Sequence, residues 1–229
     1  MMRKLVLYGI VLGLSITVFL QMPGTNVNGS AEIKMAIVFI SDYDGVDQNE
    51  LDKGCDFYDH LINDGKGHCE VIFLAPEGTT RSDGLPTKSN LMGAFDLVAN
   101  DPNSDKDVVI WISDHHGAHV ESTYLQLTDG KLYSSDMDDY MDDMVYQDLT
   151  FILNGAKSGL LGPDLYEEGR TIMSSMKSDQ TNDPDEFDIA RSLVDPSADT
   201  DEDGEVSYKE AFTMEKSLLN NQDPQIWED

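Results

Sequence analysis

The stretch VVIWISDHHG, residues 108–117, runs from β-branched and aromatic residues directly into an acid, two histidines and a glycine. A short apolar run bounded by turn residues predicts a buried strand, here Val108–Ser113. Runs of the same kind predict further strands at Lys34–Ile40, Glu70–Ala75, Leu149–Leu153 and Arg170–Ser174. The acid and the histidines therefore follow the end of a predicted strand.

Helical patterns separate these strands, at Asn49–Ile62, Lys88–Ala99 and Asp136–Val145, the last with Ser135 as its N-cap. The predicted apolar face of the first helix is Leu51, Cys55, Tyr58 and either Leu61 or Ile62. That of the second is Leu91, Phe95 and Val98, and that of the third is Met137, Tyr140, Met141 and Met144. We interpret the methionine stripe as core packing. Alternation of strand and helix over residues 34–195 predicts an α/β domain, with a mostly parallel sheet and helices on both faces. Sites in such sheets collect at the carboxyl ends of strands.

The composition is strongly acidic: 44 Asp and Glu against 15 Lys and Arg give a formal net charge of −29 at pH 7. This charge argues against nucleic acid and anionic membrane surfaces as partners. It suits bound cations, although a solubilising or salt-adapted surface accounts for most of the excess.

The N-terminus is typical of a targeting segment, which we assign to residues 1–30. A basic start at Met1–Lys4 precedes the mostly apolar, uncharged run Leu5–Leu20, as in a secretory signal peptide. An uncleaved membrane anchor is the alternative, although the run is short for a span of about 20 residues. Either predicts an extracellular or cell-surface protein. In that compartment Cys55 and Cys69 form a disulfide or, alternatively, are two small buried residues.

The sequence DTDEDGEVSYKE, residues 199–210, matches an EF-hand calcium loop. Gly204 permits the sharp turn, and the predicted ligands are Asp199, Asp201, Asp203, Glu205 through its backbone carbonyl, Ser207 through water, and Glu210. A helix is predicted to leave the loop at Ala211–Leu219, whereas Pro196 interrupts the entering helix. We assign residues 196–229 to this loop and helix and expect weak binding, since extracellular calcium sites work at about 0.1 to 1 mM.

A histidine at one strand end and a tight loop after a later strand are a layout for a catalytic base and its nucleophile. The later loop is NGAKSG, residues 154–159. Over about residues 34–195 the chain resembles the legumain-like branch of the caspase-like cysteine peptidases. The resemblance rests on KMAIVFISD, GLPTKSNLMGAFDLVANDPNSDKDVVIWISDHHG, DLTFILNGAKSGLL and GRTIMSSMKSDQTN, and on a following calcium loop of the type ADTDEDGEVSYKEAF. It implies that residues 31–195 form a caspase-like, legumain-like domain with a three-layer sandwich, followed by an EF-hand-type loop and helix.

The resemblance also implies site residues. The family pairs an acid–histidine–glycine strand end with a Cys-x-Ser-Gly loop. The histidine falls on His115, or on His116 if the glycine sets the register, and Gly117 is the glycine beside the oxyanion. Ser158 and Gly159 match the loop, but Ala156 stands where the family has its cysteine.

Three functions remain open from the sequence. The preferred one is a calcium-binding pseudopeptidase that holds a peptide or protein in a vestigial cleft, since alanine provides no nucleophile. The second is an active endopeptidase using an unorthodox nucleophile: Ser158, Ser174 or Ser175. The third is an acidic structural surface protein that calcium stabilises.

Overall fold

A six-stranded sheet organises the protein, with strands in the spatial order Cys69–Leu74, Lys34–Ile40, Asp107–Ser113, Asp148–Asn154, Arg170–Ser174 and Gln225–Trp227. A separate three-stranded sheet has the order His116–His119, Ser122–Leu127 and Gly130–Tyr133. The computed structural model describes residues 34–43, 45, 47–63, 69–102, 106–114, 116–119, 122–181 and 186–229. The targeting segment predicted at residues 1–30 and His115 lie outside these ranges. No helix in the ranges given combines the length and the apolar character needed to cross a membrane.

Strands and helices alternate along the chain as the sequence pattern predicts, except that four strands follow one another between residues 107 and 133. The strands are β1 Lys34–Ile40, β2 Cys69–Leu74, β3 Asp107–Ser113, β4 His116–His119, β5 Ser122–Leu127, β6 Gly130–Tyr133, β7 Asp148–Asn154, β8 Arg170–Ser174 and β9 Gln225–Trp227. The helices are α1 Gln48–Asn63, α2 Lys88–Ala99, α3 Ser134–Asp143, α4 Gly162–Leu165, α5 Ile189–Leu193 and α6 Tyr208–Leu218. Short 3-10 turns lie at Ser158–Leu160 and Pro196–Ala198.

The large sheet is parallel except for β9, which pairs antiparallel with β8. Helices cover both of its faces. One face packs against α2, α3 and α4 through buried residues such as Phe95, Met141 and Leu165. The other packs against α1, α5 and α6 through residues such as Phe57, Ile189 and Phe212. The predicted α/β sandwich with a mostly parallel sheet is thereby confirmed.

The buried face of α1 differs from the predicted one. Phe57 and Leu61 are buried, whereas Ile62 is 46% exposed. Leu51, Cys55 and Tyr58 pack against the same core from its margin. Gly54 lets the helix approach β1 closely, since a Cβ there would collide with Ile40 Cδ1. Cys55 and Cys69 are not joined in a disulfide.

Helix α3 begins at Ser134, one residue before the predicted cap, and no side chain caps it. The Ser134 hydroxyl instead donates to Asp164 of α4, 2.9 Å away, and Thr123 of β5 donates to the same carboxylate oxygen. These contacts attach the small sheet to the helical layer. The sequence analysis predicts neither the small sheet nor β9.

The C-terminal segment contributes to the main sheet as well as to the calcium loop. Residues 196–229 supply α6, which packs on the core, and β9, which pairs with β8 from Ile172 to Ser174. All of these elements belong to one compact unit, Ala31–Asp229.

Candidate functional site

Strands β3 and β7 end side by side, with Ser113 paired to Asn154. The N–H of Asp114 donates to the carbonyl oxygen of Asn154 over 3.1 Å, and the Asn154 amide donates to the Ser113 hydroxyl over 3.3 Å. Asp114 and Asn154 are both buried. The acid of the DHHG stretch is thus fixed at the carboxyl edge of the sheet, beside the start of the 154–159 loop.

The backbone of His116 and Gly117 opens β4, where His116 pairs with Leu125 and Gly117 with Tyr124. Strand β4 contacts the 3-10 turn Ser158–Leu160. The fold therefore brings the element that carries His116 against the loop that carries Ala156. The assignment of the base to His115 or His116, and of Gly117 to the oxyanion, stays a prediction.

The Ala156 loop, residues 155–159, is tight and well anchored. Gly155 has φ +140° and Lys157 has φ 60°, both in the left-handed region. The N–H of Gly159 donates to the carbonyl of Met176 over 2.8 Å. A Cβ on Gly159 would lie 2.6 Å from that oxygen, so only glycine fits there. Ala156 is half-buried within this turn.

The three serines considered as alternative nucleophiles have structural contacts. Ser158, Ser174 and Ser175 are all fully buried. The Ser158 hydroxyl accepts from the N–H of Met176 at 3.1 Å and lies 3.3 Å from the Ser175 hydroxyl. Ser175 accepts from the N–H of Gly155 at 3.0 Å, and Ser174 donates to the Met176 carbonyl at 2.9 Å. These hydroxyls hold the Ala156 loop against the end of β8.

Two residues at this edge escaped the sequence analysis. The Oδ1 atom of Asn154 is buried and, among the described residues, has no hydrogen-bond partner. The carbonyl oxygen of Gln180 accepts from the N–H of Lys157 over 2.8 Å. Asn154 could have been noticed as a polar residue that ends an apolar run, but no local signal marks Gln180.

Three predicted calcium ligands converge in the structure. Asp199, Asp201 and Asp203 each place a carboxylate oxygen within 4.8 Å of the others. Gly204 has φ +93°, and its N–H donates to Asp199 Oδ2 over 3.0 Å. Asp199 Oδ1 is buried and has no hydrogen-bond partner among the described residues. A set of ionised oxygens at this separation fits a hard divalent cation such as Ca²⁺.

Glu210, at the last position of the loop, has a different arrangement. One carboxylate oxygen accepts from the N–H and hydroxyl of Thr200 at 2.7 and 2.8 Å, and the other accepts from the N–H and hydroxyl of Ser207 at 2.9 and 2.8 Å. Ser207 in turn accepts from the N–H of Glu210, which forms a capping box at the start of α6. The hydrogen bonds from Ser207 and Thr200 lower the pKa of Glu210 to about 2. Its carboxylate thus links Thr200 and Ser207 by hydrogen bonds and is not part of the cluster of Asp199, Asp201 and Asp203.

A second acidic group has a cation of its own. Asp138, Asp142 and Glu167 also lie within 4.8 Å of one another. The buried Arg170 donates to Asp138 over 2.6 Å and to Asp142. Since the guanidinium pairs with Asp138, Asp142 and, at 3.9 Å, Glu167, the group is an ion-pair network centred on Arg170.

A cavity of about 550 Å³ lies at the amino ends of the strands, at the sheet edge opposite Ala156. The starts of β3, β7 and β8 line one side, and residues 201, 203 and 205–210 line the other. The predicted calcium loop and the Ala156 loop therefore lie at opposite edges of the sheet.

No family model matches the sequence, and no curated protein matches it either. Solved structures match the fold. The crystal structure of the Drosophila initiator caspase Dronc is similar with a TM-score of 0.55 and 9% identity, over 86% of this chain and 79% of that one. Protein GSU0716 from Geobacter sulfurreducens is similar with a TM-score of 0.54 and 10% identity, over 86% and 92%. At such identities the likeness concerns the fold alone: this chain has a caspase-like α/β fold.

Proposed function

We propose that this protein is a caspase-like pseudopeptidase that binds calcium at Asp199–Glu210 and holds an extended peptide or protein segment at the Ala156 edge. The observation that carries the proposal is the environment of Ala156. A tight, glycine-rich loop contacts β4, which carries His116, yet the residue at its turn has only a methyl group. Peptide-bond cleavage through an acyl-enzyme needs a nucleophile at this position.

The buried serines support a binding function over catalysis. A serine nucleophile needs a base within hydrogen-bond reach and access to the substrate. The hydroxyls of Ser158, Ser174 and Ser175 are fully buried and hydrogen-bonded to neighbouring loop residues. Using one of them would require the Ala156 loop to open, and a displacement of about 1 Å already lowers rates about 100-fold.

The aspartate cluster supports the calcium proposal. Three carboxylates within 4.8 Å repel one another, and a bound divalent cation removes that repulsion. The residues that would hold it are Asp199, Asp201 and Asp203, with Glu205 and Ser207 as further ligands. Glu210 would complete the shell by exchanging its hydrogen bonds from Thr200 and Ser207 for the cation. An extracellular or cell-surface location, which we also propose, supplies calcium in the range suited to such a site, about 0.1 to 1 mM.

The peptide site is tested by restoring the missing thiol. The parent and an Ala156→Cys variant are incubated with a fluorogenic peptide library in millimolar calcium, with Ala156→Ser as the size-matched control. We expect the parent to be inactive and the Cys variant to cleave, because under the proposal this edge keeps a peptide groove and a histidine base. His115→Ala and His116→Ala in the Cys background then identify the base. Cleavage by the parent that is lost in Ser158→Ala would establish the endopeptidase alternative instead.

The calcium site is tested by calorimetric titration of the parent, of Asp203→Asn and of Asp142→Asn. We expect Asp203→Asn to weaken binding at least tenfold, since the loop loses a charged ligand. Asp142→Asn removes an acid from the Arg170 network and is expected to leave calcium binding unchanged. Equal effects of both substitutions would mean that net charge, and not the loop, determines binding. If calcium binds but no Ala156→Cys activity or peptide binding is found, the structural-surface alternative is favoured.

A further inference from the structure

Gln180 connects the segment after α6 to the Ala156 loop. Its side-chain oxygen accepts from the N–H of Asp223 over 3.0 Å and from the N–H of Lys177 over 3.3 Å. Its side-chain amide donates to the carbonyl of Asn221 over 3.3 Å. Its backbone carbonyl accepts from the N–H of Lys157, the residue after Ala156, over 2.8 Å. Gln180 thus contacts residues 221–223 through its half-buried side chain and the Ala156 loop through its backbone carbonyl.

The other end of this connection reaches the calcium loop through α6. Glu210 belongs to both the loop and the first turn of the helix. In the last turn, the Lys216 ammonium donates to the carbonyl of Pro224 over 2.9 Å and lies 3.8 Å from the Asp223 carboxylate. The helix has 11 residues, so at 1.5 Å per residue it spans roughly 16 Å between the two ends.

The helix is held firmly enough to act as a rigid connector. Ala211 and Phe212 are buried against the sheet, and the fully buried Glu215 carboxylate accepts three hydrogen bonds from the guanidinium of Arg191. A change in the order of the first turn is therefore passed to residues 221–224 and not absorbed by bending within the helix.

We propose that calcium bound at Asp199–Glu210 orders the Ala156 loop through α6 and Gln180, and so promotes peptide binding at that edge. The inference rests on the proposed function, because it requires both sites. Calcium fixes the first turn of α6, Lys216 fixes residues 223–224, and Gln180 fixes Lys157. By linkage, a peptide at the Ala156 edge then tightens calcium binding by the same factor.

The test is hydrogen–deuterium exchange of the whole chain, read by mass spectrometry in millimolar calcium and in chelator. The samples are the parent, Gln180→Ala and the control Asp179→Ala, which changes an exposed neighbour whose ion pair, with Lys177, stays within the same turn. We expect calcium to slow exchange at residues 154–161 by roughly fivefold or more in the parent and the control, a typical allosteric coupling. In Gln180→Ala, calcium should still slow exchange at residues 199–218 but no longer at 154–161.

A second variant, Lys216→Met, breaks the connection earlier and leaves Gln180 intact, so the test does not depend on Gln180→Ala folding. It too is expected to abolish the calcium effect at residues 154–161. Persistence of that effect in either variant overturns the inference. Calcium binding by calorimetry without any change at residues 154–161 overturns the inference alone. Absence of calcium binding overturns the calcium part of the proposed function as well.

Discussion

The ion pair between Glu215 and Arg191 is expected to be the main attachment of α6 to α5. The side chain of Glu215 is 0% exposed and that of Arg191 is 53% exposed. Besides two hydrogen bonds from Arg191 Nη2, at 3.0 and 2.9 Å, the carboxylate accepts from the N–H of Asp188 at 3.0 Å and from the Ser192 hydroxyl. Glu215→Gln keeps the side-chain volume but removes the negative charge. It also places an amide N–H group, itself a donor, where the carboxylate accepted hydrogen bonds.

The magnitude follows from these contacts. Hydrogen bonds to charged groups contribute about 1.5 to 3 kcal/mol, and breaking a buried ion pair costs about 3 to 5 kcal/mol. Arg191 is half exposed and can return to water, so the loss lies below the upper figure. We expect Glu215→Gln to lower the free energy of unfolding by about 2 to 3 kcal/mol. For a chain of this size the midpoint temperature falls by about 5 to 10 °C.

The assay is urea unfolding followed by circular dichroism, in chelator so that calcium binding does not contribute. The matched control is Asp59→Asn, which makes the same acid-to-amide change in an exposed ion pair. In that pair the side chain of Asp59 is 38% exposed and that of Arg81 is 45% exposed. That pair is expected to contribute about 0.2 to 1 kcal/mol. If Glu215→Gln shifts the urea midpoint no more than Asp59→Asn does, burial of Glu215 does not attach α6 as we reason.

Three further predictions concern single residues. Gly159→Ala should destabilise the fold by about 1 to 3 kcal/mol, because its Cβ meets the backbone of Met176; an unchanged urea midpoint would contradict the close approach. The N–H of Gly169 and the hydroxyl of Tyr166 lower the pKa of Asp229 from its ordinary 3.8. The ionised Asp229 therefore stabilises the fold above pH 3.8, and this stabilisation is lost as the pH falls further. In acid, the free energy of unfolding of Asp229→Asn should approach that of the parent; a constant difference between the two proteins from pH 7 to pH 2 would refute this. Burial raises the pKa of the Cys55 thiol, so in a Cys69→Ser background a thiol reagent at pH 8 should react more slowly with native protein than with unfolded protein.

The predictability of the strands follows from their burial. In β1, β3 and β7 both faces of the sheet are covered by helices, so each reads as a nearly continuous apolar run. The small sheet gives no such signal: β4 has the sequence HGAH and β6 the sequence GKLY. In α1 the burial of Leu61 was predicted and that of Phe57 was not. The close approach of Gly54 to Ile40 could not be predicted, because the two residues meet only in the folded chain.

Some features of the candidate site could also be predicted from the sequence, and others could not. That Asp114 and the Ala156 loop share one edge follows from parallel strand topology and could be predicted. The burial of Ser158 could not, because a sequence does not show whether a hydroxyl faces solvent or a neighbouring turn. Gln180 was beyond prediction for a related reason: its contacts with Asn221 and Asp223 join residues 41 and 43 positions apart.

The position of β9 has a consequence for biosynthesis. Among the described elements it is the last to leave the ribosome, yet it covers the outer edge of β8. Until Gln225–Trp227 is available, the backbone N–H and C=O groups on that edge of β8 have no strand to pair with, and such an edge is a template for pairing with other chains. We expect a product that stops before Gln225, or one trimmed there by proteolysis, to associate with other copies even though the parallel strands of its sheet are complete.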